Sequence, residues 1–176
     1  MNPKYAALLA FSMLAAVPAL TMAHGGEAAK AMPKRDMKGM DKSHKYEGPG
    51  HAAALGKPAD IRHATRTIEI VMGDNMRYEP KRIDIKQGET IRFVVRNDGK
   101  VKHEMVLGTM AELTKHAALM LKFPDMEHDD PNAVSVEPGK VGEFAWTFTK
   151  VGTFDFACLE PGHFEAGMKG RIQVKK

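Results

Sequence analysis

The stretch C158-L-E-P-G-H163-F-E-A-G-M168-K-G170 holds the only cysteine of the 176-residue chain. A histidine follows it at five residues and a methionine five after that, between glycine-bearing turns. The segment before it, T153-F-D-F-A-C158, alternates apolar and polar residues as a half-buried strand does. Cys158 keeps the parity of Phe154 and Phe156, so its thiol is expected to point inward at a strand end, where a loop begins. That loop folds back to present His163, and Met168 precedes the next strand. A thiol, an imidazole and a thioether therefore converge from a single loop.

The same period of two extends outward from this strand. It recurs at Ile68, Ile70 and Met72; at Ile83 and Ile85; at Ile91, Phe93 and Val95; at Val134 and Val136; at Phe144, Trp146 and Phe148; and at Ile172 and Val174. The breaks between these runs, "KQG", "NDGK", "EPGK" and "KVG", are turn chemistry. Many short strands with such punctuation predict an all-β, two-sheet antiparallel sandwich. The roughly 110 residues from 65 to 176 suit one domain of that kind. One segment breaks the alternation. Thr109 and Glu112 have capping-box spacing, and Leu113, Ala117, Met120 and Leu121 share one helical face. This predicts a helix over about 110–122 within an inserted connection, stopped by Pro124.

A second histidine, His103, opens the predicted strand in "VKHEMVL". One Cys and two His with a weaker, more distant Met form the donor set of a type 1 (blue) copper centre. Zinc normally takes a fourth hard or borderline ligand or water rather than a thioether, so Met168 argues against it. A Cys–His nucleophile would need an exposed thiolate and an orienting partner, whereas this thiol is expected to be buried. Four donors around one metal leave no position for a substrate, which points to a non-enzyme. Oxidase or nitrite-reducing chemistry would need a second, open copper position.

These residues resemble the cupredoxins, the plastocyanin and azurin superfamily. The Cys-x4-His-x4-Met spacing resembles rusticyanin and auracyanin more than plastocyanin, whose Cys–His gap is shorter. The resemblance covers about residues 65–176 and implies an eight-stranded Greek-key sandwich with one copper held by His103, Cys158, His163 and Met168. It also implies that Asn97, in "VVRNDGKVKHEM", ties the loops beside His103 by hydrogen bonds. The helix-bearing insertion and the Met- and His-bearing N-terminal segment resemble periplasmic cupredoxins associated with copper tolerance.

Residues 1–23 have a lysine near the start, an apolar run from Tyr5 to about Leu20, and Thr21 and Ala23 at the −3 and −1 positions. This is the layout of a cleaved signal peptide, which implies a periplasmic mature chain. No other segment is apolar enough to span a bilayer. From His24 to about residue 64 the chain is rich in Gly, Lys, Ala and Met and poor in β-branched and aromatic residues, as expected of a flexible tail. Its Met32, Met37, Met40 and His44, flanked by His24, His51 and His63, read equally as extra copper donors or as parts of a linker. In the insertion, Met120 reads as core, Met126 and His128 as surface donors, and His116 as a solvated helix residue or a further donor. Thirteen methionines in all are consistent with soft-metal handling. The net charge of +4, with cations scattered among anions, excludes a nucleic-acid binder.

Two functions fit these observations. One is a one-electron carrier with an unknown redox partner. The other is a protein that sequesters or delivers copper through extra Met and His sites.

Overall fold

A computed structural model describes residues 52–124 and 130–176. The strands, in chain order, are β1 (Gly56–Ala59), β2 (Arg66–Gly73), β3 (Arg77–Glu79), β4 (Arg82–Lys86), β5 (Thr90–Asn97), β6 (His103–Gly108), β7 (Ala133–Val136), β8 (Val141–Phe148), β9 (Gly152–Ala157) and β10 (Lys169–Lys175). They form two five-stranded sheets, ordered β1-β8-β5-β2-β3 and β4-β10-β9-β6-β7. The expected two-sheet, all-β sandwich is what forms. Among the described residues it has ten strands where the family resemblance implied eight. It is also mixed, because β2 pairs parallel with β5 and β4 pairs parallel with β10. Period-two alternation is the same in parallel and antiparallel pairs, so it carried no information on strand direction.

Every alternating run lies on a strand, and its apolar set forms the core between the sheets. Ile70, Met72, Ile83, Ile85, Ile91, Phe93, Val95, Phe148, Phe156, Ile172 and Val174 are all buried there. Phe93 stacks on Phe144 with ring centroids 5.1 Å apart, and Tyr78 meets Phe156 edge-on at 4.9 Å. Contacts of this kind add roughly 0.5–1.5 kcal/mol each beyond area burial. Gly170 lies under the Phe156 ring, where a Cβ would come within 2.0 Å of a ring carbon. The aromatic ring thus occupies the space a larger residue at 170 would need.

The helix α1 (Met110–Met120) agrees with the expected span, and its capping box is formed as expected. Thr109 accepts from the Glu112 N–H, and the Glu112 carboxylate accepts from the Thr109 N–H. Its inner side, Leu113, Ala117 and Met120, packs with Val106, Ala157, Leu159 and Phe164 in a second core on the outer face of the second sheet. This explains why β6 is buried at all six positions and does not alternate. His116 shares that side and is buried rather than solvated. At i, i+3, i+4 and i+7 with Leu113, Ala117 and Met120 it falls on the covered face.

Composition placed residues 52–64 in the tail, and the structure corrects this. Ala52 and Leu55 are fully buried, β1 pairs antiparallel with β8, and Ile61–His63 form a 3-10 turn. A four-residue edge strand containing Gly and Pro has too little alternation to be detected. Residues 1–51 and 125–129, which carry the signal-peptide reading and the tail and insertion donors His24, Met32, Met37, Met40, His44, His51, Met126 and His128, lie outside the described residues. Among the described residues, no helix is long and apolar enough to cross a membrane.

Candidate metal centre

His103 opens β6 and shares its inward face with Met105 and Leu107, as the two-residue period requires. Cys158 follows the last residue of β9 and keeps the inward parity of Phe154 and Phe156; its thiol is fully buried. His163 sits midway along the loop from β9 to β10 and is partly exposed. The donor atoms of these three residues lie within 4.8 Å of one another. His103 Nδ1 is 3.2 Å from His163 Nδ1, which is 3.3 Å from Cys158 Sγ.

The Cys158–Met168 loop is braced by its own backbone. The His163 N–H donates to the Glu160 carbonyl, the Met168 N–H to the His163 carbonyl and the Cys158 N–H to the Met168 carbonyl, at 3.0–3.1 Å. Gly162 and Gly167 take φ of +85° and +92°, a region open to glycine at little cost. Phe164 anchors the loop in the second core, and the Lys169 ammonium lies 3.6 Å from its ring centroid. Lys102 Nζ reaches Glu160 Oε1 at 2.9 Å and so joins the His103 loop to the Cys158 loop. Met168 is fully buried, shares the core cluster with Cys158, and is joined by backbone hydrogen bonds to both Cys158 and His163.

Asn97 lies where the family resemblance places it and ties loops together. Its Nδ2 donates to the Val101 carbonyl at 2.8 Å and the Val136 carbonyl at 2.9 Å, while its Oδ1 accepts from the Gly99 N–H at 2.8 Å. Two carboxylates that the sequence reading did not single out also support the site. Glu104 donates its backbone N–H to Cys158 Sγ at 3.4 Å, and its side chain accepts from the Leu159 N–H at 2.8 Å. Burial raises the Glu104 carboxyl to about 7, against the opposing hydrogen bond from Leu159. Asp74, in the turn between β2 and β3, places Oδ1 3.3 Å from His103 Nε2. The Lys100 N–H, more than any other group, holds the Asp74 carboxyl below its ordinary value. Glu104 adjoins His103 in sequence, but only the folded chain brings it to Cys158 and Leu159, and brings Asp74 to His103.

Burial pushes the Cys158 thiol up to about 12, so in the protein alone it is protonated at neutral pH. The His163 imidazole is lowered, first by burial and then by the neighbouring His103. The pocket therefore holds one soft and two borderline donors facing one another at close range. That set suits a soft or borderline cation able to displace the thiol proton, and copper is such a cation.

A family model described as copper binding proteins of the plastocyanin/azurin family matches residues 64–175. A copper-resistant cuproprotein CopI of Rubrivivax gelatinosus is 49% identical over 143 residues, covering 77% of this chain and 86% of the relative. A protein of the same description in Pseudomonas aeruginosa is 41% identical over 156 residues, covering 72% and 86%. Among solved structures, auracyanin B superposes with a TM-score of 0.58 at 21% identity, over 69% of this chain and 97% of that one. The dithionite-reduced auracyanin of Roseiflexus castenholzii superposes with a TM-score of 0.55 at 26% identity, over 64% and 99%.

Proposed function

Because the chain belongs to the plastocyanin/azurin family of copper-binding proteins, we propose that it is a one-electron carrier working in the periplasm as part of copper tolerance. His103 Nδ1, Cys158 Sγ and His163 Nδ1 hold the ion, and the Met168 thioether is the weak fourth donor. Copper, when bound, supplies a Cu(II)/Cu(I) couple. The observation that carries this reading is that His103 Nδ1 and Cys158 Sγ lie 3.2 and 3.3 Å from His163 Nδ1, with the three donors within 4.8 Å of one another, on elements braced from both sides. A thiolate suits the reduced ion, and imidazole suits both states. Donors held in place by Asn97, Glu104 and the closed Cys158–Met168 loop move little when the charge at the centre changes. With four donors around the ion, no position is left for a substrate, which supports a carrier rather than an enzyme.

The copper-tolerance context is supported by the curated relatives, which are described as copper-resistant. The signal-peptide layout of residues 1–23 supports export. A second reading, capture or delivery of copper, is favoured by the same relatives and by the soft donors of residues 24–64 and of the insertion. Voltammetry of the copper-loaded full mature chain separates the two. A reversible one-electron wave at one copper per chain is expected of a carrier. Bound copper with no reversible wave would contradict the carrier reading and leave capture or delivery.

A further inference from the structure

The two nitrogens of the His103 ring face different groups. Nδ1 faces His163 Nδ1 at 3.2 Å, while Nε2 faces the Asp74 carboxylate at 3.3 Å. An ionised carboxylate only accepts hydrogen bonds, so this contact places the ring hydrogen on Nε2 and leaves the Nδ1 lone pair for the centre. Asp74 is itself held in position. Its Oδ1 and Oδ2 accept from the Lys100 N–H at 3.0 and 2.9 Å, and Oδ1 lies 3.4 Å from the Val101 N–H. Both amides belong to the loop that leads into His103. Gly99 provides the room, since a Cβ at that position would come within 2.1 Å of Asp74 Oδ1.

We infer that Asp74 is a positioning residue of the copper centre. It selects the His103 tautomer and, through its negative charge, favours Cu(II) over Cu(I). This inference rests on the copper reading of His103 proposed above. A carboxylate on the far nitrogen strengthens the near nitrogen as a donor, and loss of such a partner typically weakens metal binding 10–100-fold. The Asp74 side chain is 40% exposed, so solvent screens its charge and the low end of that range applies.

Three variants of the full mature chain test this. Asp74→Asn keeps the shape and an acceptor oxygen but removes the charge. It is expected to keep the charge-transfer band and to lose roughly tenfold in preference for Cu(II) over Cu(I), a rise in potential of about 59 mV for a one-electron couple. Gly99→Ala keeps the charge and the ligands but pushes the carboxylate aside, so its potential is expected to rise as well. Asp74→Ala is read in the copper-free protein by nitrogen-15 NMR of His103. The wild type is expected to show the Nε2–H tautomer and the variant a mixture. Unchanged potentials in both Asp74→Asn and Gly99→Ala, or an unchanged tautomer in Asp74→Ala, would overturn the inference. If the wild type forms no charge-transfer band, the copper reading fails instead, and the tautomer measurement alone decides the role of Asp74.

Discussion

Cys158 Sγ and His163 Nδ1 lie 3.3 Å apart across a five-residue span of chain, the first residue fully buried and the second partly exposed. The centre is therefore shielded on its thiol side and reachable on its imidazole side. That asymmetry suits a carrier, because the inner donor sets the electronic character of the site while the outer one lies near solvent and any partner.

Met168 tests how the weak donor tunes this centre. Met168→Leu keeps the volume of a fully buried side chain and removes the sulfur. Copper is expected to stay bound through the thiolate and the two imidazoles, with a higher reduction potential, since a donor to Cu(II) is lost. An unchanged potential would show that the thioether does not reach the ion.

Glu104 tests the bracing of the thiol. Its carboxylate accepts the Leu159 N–H directly beyond Cys158. Glu104→Ala leaves that buried N–H without its acceptor and is expected to cost about 1–3 kcal/mol in copper-free protein. Glu104→Gln keeps an acceptor oxygen and should recover most of the loss. Urea unfolding of the three proteins checks the order.

Asp155 gives a pH dependence outside the donor set. Burial raises its carboxyl above the ordinary 3.8 by more than Arg171, whose Nε lies 3.6 Å away, lowers it. The folded state then keeps a proton that the unfolded chain has already lost. Stability therefore falls as pH rises through the window that starts near the ordinary value. Asp155→Asn removes the buried charge. It is expected to melt higher than wild type at pH 7 and at the same temperature near pH 3, in copper-free protein. A variant that melts lower at pH 7 would reverse the sign.

Much of this architecture is legible in the sequence, for physical reasons that differ by element. The Cys158–His163–Met168 spacing is readable because one short loop carries all three. The strands of the core are readable because each has one covered face. β6 is readable as a strand from "VKHEMVL", but its second covered face is not, because α1 buries it without leaving an alternation, and Glu104 is lost within that uniformly buried run. Asp74 reaches His103 from 29 residues away, through a turn whose sequence has no pattern pointing to a ligand. β1 is hidden because a short edge strand with Gly and Pro has nearly the composition of a linker, although its pairing with β8 closes one sheet.

That correction moves the boundary for truncation. Deleting residues 24–51 is expected to spare the sandwich and the charge-transfer band while lowering total copper uptake per chain. Deleting 24–64 removes β1, Ala52 and Leu55 and leaves the β8 edge unpaired, which should destabilise and promote association. Melting temperatures and copper-to-protein ratios of the two truncations check this. Equal copper uptake by the shorter deletion and the full mature chain would reduce residues 24–51 to a linker.

The most direct test of the central claim is titration of the mature chain with Cu(II), followed by visible absorption, in wild type and Cys158→Ala. An intense thiolate-to-copper band that saturates at one equivalent in wild type and is absent from the variant is the predicted result. The same band in Cys158→Ala, or none in wild type, would contradict a copper centre built on Cys158.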